Sequence, residues 1–268
     1  MRAVDVEVPV QIVFHGQVTS GAEQYAREKI GALHHYVREP VMFERIRLTQ
    51  LPDPAVERPS VAEATLDVAG HQVRAQVAAP TMREAIDRLH DRLRNRLERV
   101  NPHWEARRGG APLPADQGVV PWRHGSEPTH RPAFYPRPVA ERQVVRHKTY
   151  ALSHEGVDDA ILEMESLDYD FHLFTDGATG EERVVSRVTP DTYRLASVYG
   201  IPDARVASEH DVVGDPQPAP RSTVREARNR LDLEDLPFLF FTNPVSGHGA
   251  LLYRRYDGHY GLVTARAT

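Results

Sequence analysis

The residues best suited to chemistry in this sequence are arginines on a predicted helix over residues 81–100. At 100° per residue, four of them fall within about 80° of arc beside the apolar face: Arg88, Arg92, Arg96 and Arg99. Each phosphate that such a cation neutralises releases counterions and so adds affinity for a nucleic acid. The row therefore predicts contact with a phosphate backbone. Its alternative is a solvated face whose arginines pair with carboxylates at i,i+4 spacing.

Further cations in the first hundred residues are candidates for the same role. Arg94 extends the row on its own helix, and Lys29 lies on the preceding predicted helix. Three arginines alternate along predicted strands and project from the sheet face opposite the helices: Arg45, Arg47 and Arg74. These three are equally compatible with a plain solvated surface.

The chain offers little for covalent chemistry. Its lack of cysteine excludes disulfides, thiolate nucleophiles and metal sites with sulfur ligands. It has no Gly-x4-Gly-Lys-Ser/Thr loop and no Gly-x-Gly-x-x-Gly after a strand. His154-Glu155 lacks a second histidine at metalloprotease spacing, and a site built from two of the dispersed histidines is the one metal alternative. We predict no enzyme, no cofactor and no small-molecule substrate.

The charge is divided unevenly along the 268 residues, a length that predicts about two domains. The net charge is zero over residues 1–104, +4 over 105–150 and −9 over 151–268, which together give −5. A local basic face is therefore compatible with an acidic chain. No apolar run approaches the roughly 18 residues of a membrane span, and residues 1–5 lack the apolar segment of a secretory signal. We expect a cytoplasmic protein with no membrane partner.

The elements that position the basic row follow from hydrophobic periodicity. Apolar residues alternate over residues 8–14, 46–48, 62–68 and 73–77, which predicts four strands. A helical pattern between about residue 19 and Pro40 separates the first two. Thr81-Met82-Arg83-Glu84 predicts a capping box that opens the basic helix, and Asn101-Pro102 is expected to end it. The order β-α-β-β-β-α predicts an α+β domain over residues 1–104, with both helices on one face of a four-stranded sheet.

The remaining chain contains two linkers and a repeat. Periodicity fails over residues 105–143, a proline-rich basic stretch that we interpret as a flexible linker. Residues 157–196 align without a gap on 224–263 with ten identities in 40 positions, including Phe171 on Phe238, and we call this the repeat alignment. It predicts two small tandem α+β domains, over 144–198 and 221–268, with a second linker over 199–220. Copy 2 lacks a clear initial strand. Each copy is below the size that usually stabilises a lone core, so each needs a partner surface.

These features together resemble the long form of the ribosome hibernation-promoting factor family. The first domain carries Gly70-His71, Arg74-Ala75 and Ala85-Ile86-Asp87 ahead of the basic helix. The first copy has Val145-Arg146-His147-Lys148 before Ala160-Ile161-Leu162-Glu163-Met164, then Asp170-Phe171-His172-Leu173-Phe174. The second copy ends in a string similar to the closing hairpin of the family, from Tyr253 to Val263. The order and spacing of the strings carry the resemblance.

The resemblance implies a function in translation. It implies that the first domain binds the rRNA and proteins of the small ribosomal subunit in the decoding channel. There it would block the mRNA and tRNA sites and store ribosomes inactive under stress. Lys29 occupies a position where the family has a basic residue. In long family members the C-terminal domain self-associates and joins two ribosomes, but such members carry one C-terminal domain where this chain has two.

The repeats offer apolar residues for mutual contact. Aromatic and aliphatic side chains are expected to pair the two copies: Phe171, Phe174, Phe238, Phe240, Phe241, Leu252, Tyr253 and Tyr260. The second linker, over 199–220, tethers the two copies and raises the local concentration of each around the other to roughly millimolar. We therefore predict pairing within one chain. The factor would then silence single ribosomes. A homodimer of two chains is the alternative.

Two other functional classes are compatible with the sequence. One is an RNA-binding stress protein that does not target ribosomes. The other is an interaction scaffold whose repeats bind a protein while the first domain merely folds.

Overall fold

A computed structural model describes residues 8–52, 56–107, 137–150, 154–189, 191–202, 206–255 and 257–265. The chain divides into two compact units. One is built around the N-terminal sheet, and the other holds the strands of both repeats. None of the helices in the described parts of the chain is both long and apolar enough to cross a membrane.

The first unit has the predicted β-α-β-β-β-α order. Its sheet is ordered β1-β2-β3-β4, with β1 parallel to β2 and the other pairs antiparallel. The strands are β1 (Val10–His15), β2 (Val41–Gln50), β3 (Ser60–Val68) and β4 (His71–Ala79). The helices are α1 (Ser20–Gly31), which a 3-10 turn (Ala32–Tyr36) extends, and α2 (Met82–Arg107). The expected fold class is confirmed.

Alternation along the strands places the core of the first unit under its two helices. Ile46 and Leu48 of β2 are fully buried, and their neighbours Arg45 and Arg47 point to the opposite face. The helices contribute a matching apolar stripe, buried at Ala26, Ile30, Ala85, Ile86, Leu89, Leu93 and Leu97. One sheet face is therefore covered, and the arginines of the strands lie on the other.

Helix α2 is longer than the sequence predicts. It runs to Arg107, through the Asn101-Pro102 step that was expected to end it. A proline removes its own N–H bond and strains the preceding turn, but the flanking residues keep their helical bonds here. The linker predicted over 105–143 falls mainly on residues 108–136, which lie outside the described residues, and its last part contains a short 3-10 turn (Val139–Glu141).

The second unit contains two sheets, each with one helix. The elements of the first copy are β5 (Val144–Tyr150), β6 (His154–Glu155), α3 (Val157–Ser166), β7 (Phe171–Asp176), β8 (Glu182–Arg187) and β9 (Thr192–Ser197). Those that follow are β10 (Asp211–Gly214), α4 (Val224–Leu233), β11 (Phe238–Thr242), β12 (Gly249–Arg254) and β13 (Tyr260–Ala265). One sheet is ordered β10-β9-β8-β7-β6 and the other β11-β12-β13-β5.

The backbone repeats in the same register as the repeat alignment of the sequence. Helices α3 and α4 coincide in it, as do β8 and β12. Asp168 and Asp235 are equivalent and both adopt the left-handed region, at φ 56° and 52°. Non-glycine residues adopt this region rarely, so the shared angle marks the same tight turn between helix and strand in both copies.

The initial strands of the two repeats are exchanged. Strand β5 opens the first copy yet pairs in parallel with β13, the last strand of the second. Strand β10 begins at the equivalent of the first residue of β5 and pairs in parallel with β9, the last strand of the first copy. The interpretation of 199–220 as a linker, and of copy 2 as lacking an initial strand, therefore differs from the structure. Strand β10 is too short for its alternation to stand out among the prolines.

Three apolar clusters organise the second unit. Helix α3 covers one face of its sheet around Met164 and Phe174, and α4 covers the other sheet around Leu231 and Phe241. A third cluster joins the remaining faces of the two sheets through Leu173, Val184, Val198, Phe240, Leu251 and Val263. We call this third cluster the inter-repeat layer.

Candidate nucleic-acid interface and repeat contact

Helix α2 carries cations along both borders of its apolar stripe. Arg88, Arg92 and Arg96 follow one another along the border that faces β4. The side chain of Arg99, which was predicted in the same row, lies outside the described residues. Arg83 and Arg94 lie on the border that faces α1 and the 3-10 turn. We call the first set the β4-side row and the second the tyrosine-side row.

The β4-side row begins in the second turn of α2, next to the residues that open the helix. The Glu84 N–H donates to Thr81 Oγ1 at 3.3 Å, which is one half of the predicted capping box. The Glu84 carboxylate lies 2.7 Å from Arg88. Two turns later, Arg96 Nη1 donates to the carbonyl oxygen of Arg74 in β4 at 2.7 Å. Arg96 therefore has a structural contact with the sheet, whereas Arg88 stands at the helix surface.

The tyrosine-side row consists of guanidinium groups stacked on aromatic rings. The Cζ atom of Arg83 is 4.4 Å from the Tyr25 ring centroid, and that of Arg94 is 4.8 Å from the Tyr36 ring centroid. Arg94 thus does not extend the β4-side row, because the helical rotation between Arg88 and Arg94 carries it past the apolar stripe to the other border. The grouping of Arg83 with Tyr25 and Tyr36 was not predicted, although Arg83 and Arg94 are separated by about three helical turns, a spacing that indicates a common helix face.

Lys29 of α1 lies beside the tyrosine-side row, with its Nζ 5.5 Å from the Tyr25 ring centroid. Its Nζ lies 3.1 Å from Asp87 Oδ1, and the Tyr25 hydroxyl donates to the same oxygen at 2.5 Å. The Tyr25 hydrogen bond, with Lys29 beside it, lowers the pKa of Asp87, and the bond to Asp87 raises the pKa of Lys29. Lys29 is therefore charged at neutral pH and held in place, with one carboxylate already beside it.

The three strand arginines lie on the open face of the first sheet. Glu63 of β3 sits between two of them, 3.2 Å from Arg74 and 3.9 Å from Arg47. Arg45 is exposed two residues before Arg47. The neighbouring carboxylate offsets part of the positive charge of this face.

The arrangement on α2 suits a polyanion better than a reacting centre. Arginine binds phosphate through a planar fork of donors, and guanidinium groups stacked on rings are fixed in direction. The i,i+4 pairs of Arg88 with Glu84 and of Arg94 with Glu98 (2.9 Å) also fit the solvated-face alternative. Within the described ranges, no three His, Asp or Glu residues are grouped so as to hold a metal ion.

Half of the residues expected at the repeat contact lie in the inter-repeat layer. The Phe171 ring lies 4.9 Å from that of Phe238 and 5.4 Å from that of Tyr253, between ring centroids, and Phe240 is buried in the same layer. Apolar residues that the sequence analysis did not select complete it, above all Val184 and Leu251.

The other half lie on the opposite faces of their sheets. Phe174 belongs to the core under α3, and Phe241, Leu252 and Tyr260 belong to the core under α4. The reason is the alternation of side chains along a strand, which turns Phe171 and Phe174 to different faces. The Tyr260 hydroxyl donates to the Asp232 carboxylate at 2.6 Å, and Arg142, just before β5, lies 2.7 Å from the same group. This ion pair ties the exchanged strand to the second copy.

Family profiles match most of the chain. The profile described as Sigma 54 modulation protein / S30EA ribosomal protein matches residues 10–102. The profile described as Sigma 54 modulation/S30EA ribosomal protein C terminus matches twice, over 139–195 and 212–262. The second of these matches begins inside β10, in keeping with the equivalence of β10 and β5.

Individual proteins are similar over long stretches. The Dormancy associated translation inhibitor of Mycobacterium tuberculosis (strain CDC 1551 / Oshkosh) is 33% identical over 230 residues, which cover 82% of this chain and 75% of that protein. The Ribosome hibernation promotion factor of Deinococcus radiodurans is 29% identical over 184 residues, which cover 67% of this chain and 92% of that protein. Among solved structures, the Thermus thermophilus Protein Y N-terminal domain is 21% identical with a TM-score of 0.29, covering 35% of this chain and 99% of that one.

Proposed function

Since the chain belongs to the Sigma 54 modulation/S30EA ribosomal protein family, we propose that it is a ribosome hibernation factor. The first unit binds the small ribosomal subunit in the decoding channel, blocks the mRNA and tRNA sites and keeps ribosomes inactive under stress. It acts in the cytoplasm by occupancy, without catalysis or a cofactor. The observation that carries the proposal is the pair of basic rows on α2, in a domain that matches the N-terminal profile of the family.

The proposed contact with rRNA is electrostatic and directional. The β4-side row supplies cations along several turns of one rigid helix, so successive phosphates meet charges at fixed spacing. The tyrosine-side row adds guanidinium groups that aromatic rings hold in place. Lys29, Arg45, Arg47 and Arg74 contribute at the periphery, where neighbouring carboxylates weaken the attraction.

A binding experiment with charge reversal tests this part of the proposal. In the variant R88E/R92E/R99E, Arg96 is kept because it donates to the Arg74 carbonyl. We expect the affinity for purified small subunits, measured by co-sedimentation, to fall by at least about 100-fold and to depend less steeply on salt. The matched control is R225E/R228E/R230E on α4, which changes the net charge equally and should bind nearly as wild type. Unchanged binding by the α2 variant would contradict the proposed interface.

The same preparation separates the ribosomal proposal from a general RNA-binding role. A ribosome-directed factor should bind small subunits much more tightly than naked rRNA of the same length at equal salt. The reason is that the folded channel holds its phosphates in one fixed arrangement, whereas naked rRNA does not. Equal affinity for both would favour the RNA-binding stress protein. An interaction scaffold would not use α2 to bind either small subunits or naked rRNA.

We further propose that the tandem repeats pair with each other inside one chain, so the factor silences single ribosomes instead of coupling two. The apolar layer, the exchanged strands β5 and β10 and the Arg142–Asp232 ion pair support this pairing. Sucrose-gradient profiles of ribosomes with added protein test it. We expect monosomes at saturating protein. Abundant disomes would contradict internal pairing without touching the proposed α2 interface.

A further inference from the structure

The inter-repeat contact brings together residues that are equivalent in the two repeats but chemically different. Glu182 opens β8, and Gly249 opens β12 at the equivalent position of the second repeat. The Gly249 N–H donates to Glu182 Oε2, so these two equivalent positions touch each other. His248, whose equivalent in the first copy is Glu181, lies with Nδ1 2.8 Å from Glu182 Oε1. Both oxygens of the carboxylate are therefore engaged by the other repeat.

Volume is complementary at the same place. A Cβ atom on Gly249 would lie 2.9 Å from Phe240 Cε2 and 3.1 Å from Glu182 Oε2, so a residue larger than glycine would displace the Phe240 ring and crowd the carboxylate. Phe240 is the equivalent of Leu173 in the first copy. At these two positions the second repeat has the large ring of Phe240 and no side chain at Gly249. The first repeat has the smaller side chain of Leu173 and the carboxylate of Glu182.

Pairing of like repeats would lose both kinds of complementarity. Two first repeats would set Glu182 of one against Glu181 and Glu182 of the other, with the carboxylates largely removed from water, since the Glu182 side chain is only 13% exposed. Like charges facing each other across an interface are strongly unfavourable. Two second repeats would leave the Gly249 N–H without the carboxylate that accepts from it, and an unpaired buried donor is costly.

We infer that the contact of Glu182 with His248 and Gly249 makes the repeats select each other and reject a second copy of themselves. The inference rests on the internal pairing proposed above and adds its partner specificity. The built-in repulsion between like repeats acts as a specificity element. It discriminates against chains that would join through first repeats or through second repeats.

An exchange of the contact residues between the repeats tests the inference. The half-swap F240L/H248E/G249E gives both repeats the character of the first. The full swap adds L173F/E181H/E182G, which restores complementarity in the opposite sense and has the amino-acid composition of the wild type. Because the chain has no cysteine, nitroxide labels on V188C and V245C report the distance between the repeats by pulsed electron paramagnetic resonance. Val188 and Val245 are 55% and 94% exposed.

The outcomes separate the inference from the pairing on which it rests. We expect one narrow distance in the otherwise wild-type labelled chain, an approximately tenfold smaller narrow population in the half-swap, and recovery in the full swap. Retention of the narrow distance in the half-swap would overturn the inference while internal pairing stands. Its loss in both swaps would also overturn it, because general damage to the layer would then explain the result. A broad distribution in the unswapped chain would contradict internal pairing itself.

Discussion

Phe171 and Phe238, which occupy equivalent positions in the two repeats, meet with their ring centroids 4.9 Å apart at an interplanar angle of 46°. A residue that contacts its own equivalent lies close to a local two-fold relation between the copies. The pair therefore lies near this two-fold relation and packs, with Tyr253 at its side, against the buried residues of the inter-repeat layer.

Truncation of this pair should destabilise the second unit. We expect Phe171→Ala and Phe238→Ala each to lower the free energy of unfolding by about 2–3 kcal/mol, less than for a fully buried ring because both are partly exposed. In the double variant the losses should fall short of additivity by about 0.5–1.5 kcal/mol, the coupling expected of an aromatic pair. Urea unfolding followed by fluorescence and circular dichroism measures the cycle. Strict additivity would show that the rings do not interact.

The hydroxyl of Tyr25 should stabilise the first unit in a pH-dependent way. Its hydrogen bond lowers the pKa of Asp87, so the bond contributes stability above the ordinary value of 3.8 that is lost as the pH falls through the lowered value. We expect Tyr25→Phe to cost about 0.5–1 kcal/mol at pH 7, since Asp87 is partly exposed, and less at pH 2, where more of Asp87 is protonated. Urea titrations at both pH values measure this. Tyr199→Phe, at an exposed ring, is the control and should be neutral at both.

Glu44 should make the first unit less stable as the pH rises. Its side chain is fully buried on β2, His34 Nε2 lies 3.0 Å from Oε2, and burial raises its pKa. A carboxyl with a raised folded-state pKa binds protons more tightly when folded, so stability falls as the pH rises from the ordinary value of 4.5 toward the raised one. We expect Glu44→Gln to remove this slope, so that it gains stability relative to wild type as the pH rises above 4.5. A slope unchanged by the substitution would contradict the assignment to Glu44.

The exchange of initial strands predicts where disruption of β5 is felt. Two adjacent prolines, R146P/H147P, remove at least one N–H from the ladder to β13. We expect hydrogen exchange to accelerate by about tenfold or more in β13, with little change in β9. The reciprocal variant V212P/V213P in β10 should accelerate exchange in β9 instead. Acceleration in β9 by the β5 variant would mean that each initial strand stays with its own repeat.

Much of the fold follows from local patterns, and the exceptions have clear physical causes. Alternation and helical periodicity predict the first unit because each of its strands keeps one face on the core, as at Ile46 and Leu48. Which strand pairs with which, in contrast, does not follow from local patterns. Nothing in the residues of β5 indicates that it pairs with β13 and not with a strand of its own copy, because parallel pairing depends on chain topology.

The candidate sites show the same division. The β4-side row is visible in the sequence because arginines repeat at helical spacing. The contact of Arg83 with Tyr25 is not, because it depends on how α1 packs against α2. Strict use of strand alternation would have separated Phe171 from Phe174. A prediction of the contact between Glu182 and Gly249 would require both the repeat alignment and knowledge of how one sheet packs on the other.

Protein synthesis in a reconstituted extract, measured as added factor is titrated, tests the central claim most directly. The account predicts that the wild-type chain and R225E/R228E/R230E stop synthesis at near-stoichiometric amounts, while R88E/R92E/R99E needs at least about 100-fold more. Equal inhibition by the α2 variant, with its folding verified by circular dichroism, would contradict the claim that this helix holds the factor on the ribosome.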